Sequence, residues 1–104
     1  MALRFSRVVR TPYSEVYHIW NGEQRVGQFD VHYGTSTAYG TLILEVELDE
    51  EAEQQLVAQL DAEVVSSCMP DVVREDFQVT VFRGREISSY NDDEDILPDL
   101  EDEF

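Results

Sequence analysis

Two histidines, His18 and His32, one cysteine, Cys68, and 23 carboxylates are the side chains from which acid-base, nucleophilic or metal chemistry would have to be built. A carboxylate beside an imidazole orients it and tunes its charge near neutral pH. Asp30 stands two residues before His32, and Glu15 falls across from them if residues 13–20 and 24–33 pair as strands. Glu15, Asp30 and His32 are therefore the candidate catalytic set, suited to a small enzyme or ligand-binding subunit with a histidine-carboxylate pair or a weak cation site. The same mixture is also ordinary on a solvated sheet face.

The other candidates carry less. His18 is expected on the core side near Trp20, satisfied by a local hydrogen bond. It is assigned to the face opposite His32, so no shared metal site is expected. Cys68 has no second cysteine to bridge and no histidine within thirty residues along the chain, so it reads as an incidental cysteine in a reducing compartment. The loop GTSTAYG, residues 34–40, has the glycines and hydroxyls of a phosphate cradle. It lacks the Gly-Lys-Ser/Thr ending of a P-loop, however, and joins strands rather than opening a helix. The helix that does exist begins Asp49-Glu50-Glu51, where carboxylates would repel a phosphate. No Ser-His-Asp order, CxxC pair or EF-hand loop is present, and no cofactor is expected.

The elements that must position these residues are legible from periodicity. Residues 2–10 read as a first strand, closed by Thr11-Pro12. YSEVYHIW, residues 13–20, is a second, and Asn21-Gly22 signals a type I′ hairpin into a third at 24–33. With a loop of two or four residues, even positions of the second strand share a face with odd positions of the third. One face then holds Val16, His18, Trp20, Arg25, Phe29, Val31 and Tyr33 and is expected to be the core side. The other holds Tyr13, Glu15, Tyr17, Ile19, Val26, Gln28, Asp30 and His32; a bulge at Gly27 would shift part of this.

Residues 41–48 alternate Leu42, Leu44, Val46 and Leu48 with Thr41, Ile43, Glu45 and Glu47, the pattern of a fourth strand. Asp49 then caps a helix in which Ala52, Leu56, Leu60 and Val64 recur every fourth residue, ending before Pro70. Phe77, Val79 and Val81 alternate in a fifth strand. A sixteen-residue helix is about 24 Å long and an eight-residue strand about 26 Å, so the helix returns along the sheet and the fifth strand lies parallel to the fourth. The expected fold is α+β, a mainly antiparallel five-stranded sheet in the order β-β-β-β-α-β along the chain, with one helix on one face. Residues 1–90 form one domain and residues 91–104 an acidic segment.

Charge is unevenly placed. Residues 1–48 hold four arginines against five carboxylates, about -1; residues 49–104 hold three against eighteen, about -15, and lysine is absent. Such a field repels nucleic-acid phosphates and anionic membranes and attracts cationic surfaces. Direct nucleic-acid and membrane binding are therefore disfavoured. No apolar run approaches the roughly 20 residues of a membrane helix, and arginines interrupt the first ten residues, so a cytoplasmic location is expected.

NDDEDILPDLEDEF, residues 91–104, has eight carboxylates and no base. Such blocks usually stay solvated. Yet Ile96, Leu100 and Phe104 are spaced by four, with Leu97 nearby, so a helical turn would set an apolar stripe among Asp92, Asp93, Glu94 and Asp95. The resulting expectation is a non-catalytic binding or regulatory module. It engages a basic protein partner, in one form as a nucleic-acid mimic, through this segment and a sheet face bearing Tyr13, Tyr17 and Ile19. A homodimer would be another use of that face.

Overall fold

A computed structural model describes residues 3–66 and 76–90 of the 104-residue chain. Four antiparallel strands follow one another: β1 (Arg4–Thr11), β2 (Ser14–Asn21), β3 (Gln24–Tyr33) and β4 (Thr37–Leu44). Helix α1 (Glu50–Leu60) continues into a π-helical turn at Asp61–Val65, and β5 (Asp76–Arg83) completes the sheet. Strand order is β1-β2-β3-β4-β5, with β5 parallel to β4 and beside it. This is the α+β architecture that the periodicities predict, and it places the last strand at the edge next to β4.

The β2–β3 hairpin decides which side chains are buried. Its turn, Gly22-Glu23, has positive φ only at Gly22, at 63°, the arrangement of a type II′ turn in place of the I′ turn expected from Asn21-Gly22. Asn21 pairs with Gln24 and Trp20 with Arg25, but Ile19 pairs with Gly27, so Val26 is an extra residue on β3. That bulge reverses the parity for the rest of the hairpin. Past it, Tyr17 faces Phe29 and Glu15 faces Val31. A side chain at Gly27 would run into the carbonyl oxygen of Ile43 on β4, so the strands close up at the bulge only because glycine has no Cβ.

The face assignment expected for β2 is therefore corrected. Glu15, Tyr17 and Ile19 lie on the helix side with Phe29 and Val31, while Val16, His18 and Trp20 lie on the open side with Arg25, Gln28, Asp30 and His32. The core is built from Ile19, Val26, Phe29, Val31, Ala38, Leu42 and Leu44 of the sheet and Leu56, Leu60, Val64 and Val65 of the helix. Phe29 meets Phe77 of β5 edge-on, with ring centroids 6.1 Å apart. Burying each large aliphatic or aromatic side chain of this set contributes about 2 kcal/mol.

The helix follows from its sequence. The Asp49 carboxylate accepts the Ala52 amide at 2.7 Å, satisfying one of the free N–H groups of the first turn, and Glu50, Glu51 and Glu53 suit its positive end. Leu56 and Leu60 are buried at the expected spacing. The π turn then takes in one more residue than an α turn, so that Val64 and Val65 both reach the core.

β4 starts and ends four residues earlier than the alternation of 41–48 implies. Gly34 N–H donates to the Thr37 carbonyl at 2.8 Å, closing a short turn, and Ala38 already pairs with Tyr33, so residues 37–40 of GTSTAYG are strand. Val46 and Leu48 remain apolar because they pack against the core after the ladder has ended.

Candidate functional site

Among the described residues, Glu15 is the one buried charged side chain, at 1% exposure. Its Oε2 accepts from Arg7 Nη1 at 3.1 Å and from the Tyr17 hydroxyl at 3.2 Å, and its Oε1 accepts from the Tyr33 hydroxyl at 2.9 Å. Three strands supply this cluster: Arg7 from β1, Glu15 and Tyr17 from β2, Tyr33 from β3. Arg7 is nearly half exposed, so its guanidinium comes in from the rim of the sheet. The hydrogen bond to Glu15 is the main cause that raises the arginine's pKa above its ordinary value. Removing a carboxylate from water costs several kcal/mol unless donors replace the lost hydration. Here donors reach both oxygens, which makes the cluster an internal ion pair clamping the first three strands.

The set Glu15, Asp30 and His32 does not assemble. Asp30 pairs with Val16 and His32 with Ser14, on the open side, while Glu15 points to the helix side. The thickness of the sheet separates the carboxylate from the other two. His18, assigned from the hairpin parity to the face opposite His32, in fact shares its face, opposite Gln28 and Ser6. Four register positions, about 13 Å of strand, separate the two imidazoles, too far for one ion to bridge. Among the described residues no three His, Cys, Asp or Glu side chains converge as a metal site would require.

The partner-face residues also move. Tyr13 is 74% exposed in the β1–β2 turn, but Ile19 is fully buried and Tyr17 is part of the Glu15 cluster. The bulge at Val26 is the reason for the change. Asp92, Asp93, Glu94, Asp95, Ile96, Leu97, Leu100 and Phe104 lie outside the described residues, as does Cys68.

On the open side, Val16, His18, Trp20 and Arg25 are the residues that hairpin parity assigns to the core, whereas Gln28, Asp30 and His32 lie away from the core as expected. A polar file runs across this side: Arg25 Nε lies 2.8 Å from Glu45 Oε2, Arg25 Nη2 donates to Gln28 Oε1 at 3.1 Å, and Gln28 Nε2 donates to Asp30 Oδ1 at 3.0 Å. Glu86, beyond β5, adds a second carboxylate 3.8 Å from Arg25. Around this file stand apolar side chains that keep part of their surface in water: Val9 and Val16 on one side, Ile43 and Tyr39 on the other, and Phe82 at the edge. Arg4 lies over the Trp20 ring at 5.6 Å, a cation–π contact between β1 and β2.

Chemically, this face offers rigid aromatic and aliphatic contact area around hydrogen-bonded polar groups already committed to one another. The hollow lined by Arg25, Glu45, Gly84, Arg85 and Glu86 opens to solvent, and its two arginines balance its two carboxylates. No helix among the described residues is long and apolar enough to cross a membrane. No family model, characterised protein or solved structure matches this chain.

Proposed function

We propose that the protein is a non-catalytic binding module that engages a basic protein partner through the open face of its sheet together with the acidic segment 91–104. The observation that carries this reading is the open face itself: Trp20, Ile43, Tyr39 and Phe82 remain partly or half exposed, while the single helix among the described residues covers the other side. Aromatic side chains held in a rigid sheet supply contact area at low entropic cost, the composition favoured at the centres of protein interfaces.

The choice of a basic partner rests on charge. A net charge of -16, with eight carboxylates and no base in residues 91–104, steers cationic surfaces toward the protein and away from nucleic acid. Where the partner's basic surface also serves nucleic acid, the module and the nucleic acid compete for it. The mutual pairing of Arg25 with Glu45, Gln28 and Glu86 favours a contact surface over a reaction centre, because those groups are held to one another.

The test is affinity capture from the native cell with the full chain, the chain lacking residues 91–104, and a Phe82→Glu variant, each shown by thermal unfolding to keep its fold. Basic proteins should be retained by the full chain, released by added salt, and lost from both altered forms. Equal recovery by all three would overturn the reading.

A further inference from the structure

Among the described residues, the two edge strands of the sheet differ in kind. β1 carries Arg4, Arg7 and Arg10, is interrupted by a bulge between Arg7 and Val9, and runs into Pro12. Charges, bulges and nearby prolines are the devices by which sheets discourage a further strand. β5, Asp-Phe-Gln-Val-Thr-Val-Phe-Arg, has none of these along its middle. All eight of its residues pair with β4 without a register shift, and it contains neither proline nor lysine. Its only charged residues stand at its two ends.

We propose that β5 is a self-association edge, at which two copies of this chain pair β5 with β5 in antiparallel fashion about a two-fold axis at Thr80, making one sheet of ten strands. The occupant is argued from the strand's own pattern. Residues directly opposite must share a face, and a two-fold axis pairs each position with its mirror position, so the axis has to pass through a residue and not between two.

At Thr80 the neighbours match. Val79 of one copy meets Val81 of the other on the helix side, where both are partly buried. Gln78 meets Phe82 on the open side, where Phe82 is 55% exposed. Cross-strand pairs of this kind are the units from which sheet stability is assembled.

The distant charge works against association, since each copy carries -16. Salt shortens the reach of that repulsion to about 8 Å at physiological ionic strength and about 3 Å at 1 M, while the strand ladder and apolar pairs persist. Self-association must therefore strengthen with salt. A basic peptide adding to the same edge would weaken with salt, which separates this proposal from the basic-partner reading and makes the two fail independently.

The experiment is sedimentation equilibrium of the full chain at low salt and at about 1 M salt, with Thr80→Lys and Thr80→Glu variants. Thr80 is exposed, so both should leave the thermal unfolding of dilute monomer at low salt unchanged. The dimer fraction should rise with salt. Each variant places like charges opposite each other at the axis and should weaken the dimer at least about fivefold. An equimolar mixture of the two should restore it, because lysine then faces glutamate. A monomer at every salt concentration overturns the proposal. So does a dimer indifferent to both substitutions, and so does a loss that mixing fails to repair.

Discussion

The Tyr33 hydroxyl donates to the Glu15 carboxylate at 2.9 Å, tying β3 to β2 on the helix side of the sheet, while the Tyr33 amide donates to the Tyr13 carbonyl at 2.7 Å. The contact belongs to a buried carboxylate with donors on both oxygens, so its removal should be felt as stability. Glu15→Ala leaves three donors facing a cavity and should cost about 3 kcal/mol. Tyr33→Phe, which removes one donor, should cost about 1 kcal/mol. Urea unfolding of the two variants checks both values; a neutral Glu15→Ala would mean that the cluster is not a clamp.

Alkaline behaviour follows from Arg7. Its pKa is raised in the folded protein by Glu15, so its stabilising effect is present in full below the ordinary arginine value and is lost only as pH rises through the still higher folded value. That window lies in strong alkali, beyond the ordinary arginine range. The stability difference between the wild type and Arg7→Met should accordingly be flat between about pH 6 and pH 9, as read by urea midpoints across that range.

The bulge makes a sharp prediction at Gly27. Gly27→Ala drives a methyl group into the Ile43 carbonyl and should cost about 2 kcal/mol, whereas Gly84→Ala, with open space around it, should be neutral to within about 0.5 kcal/mol. Thermal unfolding of the pair tests it, and equal effects would remove the close approach of β3 and β4 as the cause.

Face assignment is tested on β2. Ile19 is fully buried and Val16, three residues earlier, is on the open side. Ile19→Ala should cost about 3 kcal/mol and Val16→Ala under about 1 kcal/mol. The opposite ranking in chemical denaturation would restore the face assignment expected without a bulge.

The π turn predicts that neighbouring valines matter together. A continuous α-helix following the spacing of Leu56 and Leu60 would bury Val64 and swing Val65 toward its flank. In the structure both are buried. Val65→Ala should therefore cost about 2 kcal/mol, close to Val64→Ala; a silent Val65→Ala in an unfolding curve would contradict the turn.

The element order was legible because it rests on local physics. Alternation at Phe77, Val79 and Val81, the Asp49 cap, and the fourfold spacing of Leu56, Leu60 and Val64 depend on neighbours a few residues away, and these signals were enough for the α+β class and for β5 running parallel to β4. The uneven charge is likewise a property of the chain, whatever its shape.

Which residues of the hairpin face the helix was not local. It turned on one extra residue, Val26, accommodated where Gly27 lets β3 approach Ile43 of a strand sixteen residues further on. Because side chains alternate with a period of two, that residue transferred Glu15, Tyr17 and Ile19 from the expected partner face to the core and brought His18 onto the same face as His32. The tertiary structure alone decided this, since the favourable register is the one that lets Ile19, Val26 and Phe29 bury against Leu42, Leu56 and Leu60 together, and no stretch of sequence contains that sum.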